Sequence, residues 1–241
     1  AYDRQLTRLK DLPDASRVHG YYQAGTLAMR WGEIDEAIVN FQQCQTLGEQ
    51  VSGDLSKYDL GRKMFYLLSA RACNDESLED QRMWLDKAGA LAKDDLEKVH
   101  NQLQMVQWHI ASADLESAIT LAHELADTNG DMEVVDLKLD DAQLVLLALD
   151  EDTPRVGLRQ LMHDSVLRSL IAIHGQDVYA TFDAQAEKAY RKARRNTSVQ
   201  ELAMVVSRWP NSVWAGPARL AIAEIAYEAS LDISDAVRKA S

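Results

Sequence analysis

Residues Tyr21 to Leu47 read YYQAGTLAMRWGEIDEAIVNFQQCQTL. Tyr21, Ala24, Gly25 and Ala28 fall at i, i+3, i+4 and i+7, which places them on one face of a helix. Gly32 interrupts that run. Beyond it, Ala37, Phe41 and Cys44 fall at i, i+4 and i+7 on a second helix. Gly25 and Ala37 are small where two antiparallel helices must approach, and Tyr21 and Phe41 fill the space beside them. The spacing predicts one helical hairpin with a defined contact seam.

The same pattern extends in both directions. Tyr2 to Lys10 reads as a short amphipathic helix, and Asp14 or Ser16 is placed to cap the first long one. A second hairpin is expected over residues 56–93, with Leu60, Met64, Leu67, Leu68 and Ala72 on its first face and Ser77 as a cap for its second helix. Gln81 stands there where Ala37 stood. A third runs from Asp95 to Thr128, and its Ala118, Ala122 and Leu125 repeat the set of Ala37, Phe41 and Cys44. Asn129-Gly130 is a stop signal. A fourth pair is expected from Val134 to Leu149 and, after Thr153-Pro154 as cap and first-turn proline, from Val156 to Gly175. Residues 176–182 lack a helical period and read as an extended connection. Two further hairpins follow from Asp183, the last hinged at Ser230-Leu231-Asp232.

The aromatic, small, Gly, Ala, aromatic order over Tyr21–Cys44 resembles a tetratricopeptide repeat, a unit of about 34 residues. It departs from that family at Glu49, where a proline is common. Trp209-Pro210-Asn211-Ser212 followed by Trp214-Ala215 and Ala218 is similar to the repeats of bacterial envelope proteins. The resemblance implies an all-α fold, an α-solenoid of about six antiparallel hairpins wound as a right-handed superhelix. Residues 1–175 would form one part, with the N-terminal helix, and 176–241 a second part continuous with it. It also implies a bacterial periplasmic or envelope location in preference to the cytoplasm.

Composition agrees with an all-α chain. Of 241 residues, 46% are apolar, and 4 Pro and 11 Gly are few for a protein built on tight β-turns. The net charge of −12 argues against wrapping nucleic acid or an anionic membrane, both of which need a cationic surface. Lys188, Arg191, Lys192, Arg194 and Arg195 are the local exception. They suit the negative end of a helix dipole or a docking patch for an acidic partner. Cys44 and Cys73 read as buried free thiols, with a single bridge left open. No apolar run approaches the ~20 residues of a membrane span.

Chemistry is thinly represented. No glycine-rich phosphate cradle or nucleophile elbow occurs. None of the 6 histidines pairs at i, i+4, so no metal ligand set and no cofactor site is expected. His109 and His123 lie on opposite helices of the third hairpin. His163-Asp164 resembles the dipeptide of helical HD-type metal phosphohydrolases, which gives the alternative reading of a metal-dependent hydrolase. The favoured reading is a non-enzymatic scaffold or adaptor that takes a protein or peptide in a concave groove or at its ends. Tyr22, Thr26, Met29 and Arg30, beside the first packing face, are the expected partner contacts. Trp31, Trp84, Trp108, Trp209 and Trp214 are possible anchors that otherwise read as inter-helix packing; Trp209 and Trp214, flanking a turn, are the ones expected to be partly exposed and are taken as further contacts.

Overall fold

The computed structural model describes residues 13–51, 55–135 and 155–240. The helix read at Tyr2–Lys10, most of the one read at Val134–Leu149, and the Thr153-Pro154 cap lie outside them. The chain forms two compact units, Ala1–Leu161 and Met162–Ser241. Their division falls within a helical stretch ahead of Gln176.

In the first unit, α1 (Asp14–Arg30) and α2 (Ile34–Gln50) form the hairpin read from Tyr21–Leu47. Gly32 makes the turn at φ +74°, a left-handed conformation that glycine adopts without Cβ strain. Neither Asp14 nor Ser16 caps α1. Pro13 occupies the capping position with no side-chain bond, and Asp14 sits inside the first turn, paired with Arg17 at 2.8 Å. The second hairpin pairs α3 (Leu60–Asn74) with α4 (Leu78–Ala90) after a 3₁₀ turn at Ser56–Tyr58. Ser77 does precede α4, but its hydroxyl donates to Asp80 and leaves the backbone N–H groups alone. The third pairs α5 (Asp95–Ala111) with α6 (Leu115–Asn129). Here the caps are genuine: Asp94 accepts from the Glu97 N–H at 2.8 Å while Glu97 accepts from the Lys93 N–H at 2.6 Å, and Asp114 accepts from Ser117.

Each of these helices packs on its chain neighbours, α1 on α2, α2 on α3, and so on to α6. Ala28, Ala37, Ala88, Ala118 and Ala122 are fully buried at the seams, and Phe41, Leu67 and Leu85 fill the volume between. Burying each of those three large side chains contributes roughly 1.5–3 kcal/mol. The small residues let the helix axes approach and the large ones seal the gap.

The fourth pair differs from expectation. Glu133–Val135 (β1) is a strand, paired antiparallel with Arg155–Gly157 (β2), Val134 opposite Val156. Both were read as helical because a short β-branched run has no period that separates strand from buried helix. Helix resumes at α7 (Leu158–Gln160), which packs on α6. The stop at Asn129-Gly130 holds without the left-handed cap: Gly130 has φ −58°, and its missing Cβ matters because one would strike the Ala126 carbonyl.

After α7 the backbone passes through a π-helical stretch, Leu161–Leu167, into α8 (Arg168–His174). In the second unit, Gly175 ends α8 at φ +88°. Residues 176–182 are not extended. Gln176–Tyr179 is a 3₁₀ turn that buries Tyr179 completely, and α9 (Ala180–Arg195) starts directly after it. The chain continues through α10 (Val199–Arg208), capped by Ser198 on Glu201, to α11 (Ala215–Ala240). The hinge expected at Ser230-Leu231-Asp232 is absent: α11 runs unbroken for 26 residues, since none of those three side chains breaks a helix. Where a sixth hairpin was expected, one long helix packs against α10 and α9. The described chain is thus all-α apart from one two-stranded ribbon, with helices set in consecutive packed pairs.

Candidate functional site

The residues beside the first hairpin's packing face divide into buried and presented groups. Met29 is 2% exposed and belongs to the core. Thr26 is half-buried and its hydroxyl donates back to the Tyr22 carbonyl at 3.0 Å. Tyr22 is half-buried within an aromatic cluster, its ring 4.5 Å from Tyr58 and 6.0 Å from Phe41. Lys63, from α3, donates to the Tyr22 hydroxyl at 2.5 Å and lies over the same ring. Of the four, only Arg30 is exposed, at the last turn of α1.

Beside it, Trp31 is 56% exposed on the turn, the most open tryptophan among the described residues. Trp209 is the reverse of its expectation. It is only 8% exposed, in a core cluster with Ala186, Leu202, Val205 and Ala218. Trp214 is half-buried, its ring 5.3 Å from that of Tyr190. Partial exposure is expected of both because they adjoin a turn; Trp214 has it and Trp209 does not. The turn is itself tied down: Asp183 accepts from the Val213 N–H at 3.1 Å, and Asn211 donates to the His163 carbonyl at 2.9 Å. The sequence does not single out Trp31 among its 5 tryptophans, and it gives no sign of Lys63. An indole immediately ahead of a turn glycine was the available signal for the first, whereas Lys63 is brought to Tyr22 only by the packing of α2 on α3.

The groups with chemical potential are scattered. His163 is buried in the π-helical stretch, while the adjacent Asp164 is exposed and pairs with Arg168 at 3.1 Å. His109 lies 3.1 Å from Asp114 and His123 is buried. Among the described residues no group of three or more His, Cys, Asp or Glu side chains is placed to hold a metal ion. Both cysteines are free thiols. Burial pushes the Cys44 thiol up from its usual value, with the nearby Lys63 charge pulling the other way, so Cys44 is a poor nucleophile. No described helix is long and apolar enough to cross a membrane.

No family model, curated protein or solved structure matches the chain. The fold class therefore rests on the helix pairing itself.

Proposed function

We propose that the chain is a non-enzymatic scaffold built from tetratricopeptide-like repeats, binding a protein or peptide partner through the outer surface of its hairpins. The reading is supported by one observation above others. Each hairpin spends its apolar face on its neighbours, which leaves Arg30 and Trp31 presented together at the α1–α2 turn. An exposed indole beside a guanidinium has the composition of an interface anchor, since Trp and Arg are the residues most enriched where binding energy concentrates. Tyr22 and Thr26 sit behind them on the same helix.

The test is affinity capture of the native partner by the full chain, followed by mass spectrometry. A stoichiometric partner is expected, and capture should fall sharply for Arg30→Glu combined with Trp31→Ala. Both positions are exposed, and circular dichroism checks that the double variant keeps its helices. Tyr22→Phe, which removes only the hydroxyl, separates a role for that group from its packing. Full capture by the double variant would overturn this surface. Recovery of no partner would overturn the scaffold reading.

A further inference from the structure

In a chain of net charge −12, one cleft in the second unit gathers positive charge around an apolar floor. Lys188, Lys192 and Arg195 stand at i, i+4 and i+7 along α9, one stripe of the helix, while Ala186 and Ala193 carry the buried stripe. Arg208, at the end of α10, closes the cleft from the other side, its guanidinium 5.1 Å from the Trp209 ring. The cleft is a shallow groove open to solvent, with a volume of about 640 Å³. A narrower niche of about 170 Å³ adjoins it, and Ala189, Met204, Val205 and Trp209 supply its apolar lining. Met204 is 58% exposed there.

Two observations separate this arrangement from a solvated helix end. The helix dipole accounts for Arg195 and Arg208 in last turns, but not for Lys188, about two turns inside α9. Local pairing also leaves charge over: Arg191 is met by Glu187 and Lys192 by Glu201 at 3.5 Å, whereas Lys188 and Arg195 make no ion pair among the described residues.

We propose that this cleft docks an acidic peptide segment carrying an apolar side chain, with carboxylates on Lys188 and Arg195 and the apolar group in the niche over Trp209. The proposal deepens the scaffold reading and rests on it. Charge complementarity selects the acidic component. The apolar niche selects a peptide over a nucleic acid, whose phosphates would leave Met204 uncovered and whose long anionic track the rest of this acidic chain repels.

The probe is a fluorescein-labelled peptide of alternating Glu and Leu, titrated with the full chain and read by anisotropy. Polyglutamate, an alternating Lys-Leu peptide and a single-stranded oligonucleotide serve as comparisons. Saturable binding of the Glu-Leu peptide alone is expected, weakened about tenfold or more by the exposed pair K188E/R195E and by added salt. Met204→Ser should weaken the Glu-Leu peptide with its charge contacts intact. Circular dichroism confirms that each variant keeps its helices.

Absence of saturable binding, or binding indifferent to K188E/R195E, overturns the proposal. Equal binding of the oligonucleotide or polyglutamate overturns it in favour of a simple anion site. Self-association of the chain that K188E/R195E abolishes overturns it in favour of a second copy as occupant. Capture of a partner through Arg30 and Trp31 alongside any of these failures removes the cleft and leaves the scaffold reading standing.

Discussion

A Cβ built on Gly25 would lie 2.6 Å from the Cδ1 atom of Phe41, so the ring rests directly on the backbone of α1. Phe41 is fully buried and cannot swing into solvent. Gly25→Val is therefore expected to destabilise the chain by about 1–3 kcal/mol through overpacking. Phe41→Leu makes room for the added methyls, so the double variant should lose less than the sum of the two singles in urea denaturation. Strictly additive losses would show that ring and glycine do not share one seam.

Arg62 joins two hairpins. Its guanidinium is held by Asp59 at 2.6 Å and by Glu97, from α5, at 2.7 Å, and its side chain is nearly buried. Arg62→Ala leaves Glu97 without its cation and Asp59 with only the longer contact to Lys93 at 3.7 Å, both partly screened by solvent, a loss on the order of 1–3 kcal/mol. Glu97→Gln in the same chain should recover part of that loss by removing one charge. An Arg62→Ala midpoint equal to the parent's would mean that the pair contributes nothing to the joint.

His100, on α5, is held below its ordinary value of 6.5 by burial first and by the charges of Arg62 and Arg155 next, with Asp94 and Glu97 opposing. The unfolded chain takes up the proton more readily than the folded one. Stability from this group is then complete above pH 6.5 and declines as the pH falls from there through the lower folded value. His100→Gln should flatten the decline in thermal melts across that window. Parallel curves for parent and variant would exonerate His100.

The two thiols should differ in reactivity. Cys73 is partly exposed, whereas Cys44 is buried with its thiol pKa raised. A thiol reagent should modify Cys73 in the native protein and reach Cys44 only when denaturant opens the first hairpin. Equal native rates would place Cys44 nearer the surface than its packing allows.

The seams were legible because their logic is local. Gly25, Ala37, Ala118 and Ala122 are small at helical spacing, and no tertiary knowledge is needed to see that such residues mark close approach. Legibility failed where partners distant in sequence decide. Val134 and Val135 become strand only because Arg155–Gly157 offers them a ladder. Trp209 is buried by Ala218 and Leu202, which its own turn does not announce. The π-helical stretch at Leu161–Leu167 leaves no mark in the apolar spacing, and the turn expected at Ser230-Leu231-Asp232 came from the repeat resemblance although no glycine stands there to make it. The basic stripe of α9 could be read directly, but the cleft beside it needed Arg208 and Met204 from the next helix.

The consecutive docking of α1 through α6 bears on how the polypeptide acquires its shape during synthesis. A ribosome delivers about 5–20 residues each second, whereas helical proteins with short-range contacts fold in microseconds to milliseconds. The first hairpin can begin to form once Gln50 has cleared the exit tunnel, before α5 has been translated, and becomes stable as later pairs cover its remaining apolar face. Maturation then advances as an ordered accretion from the N-terminal side, with no long wait for a distant strand.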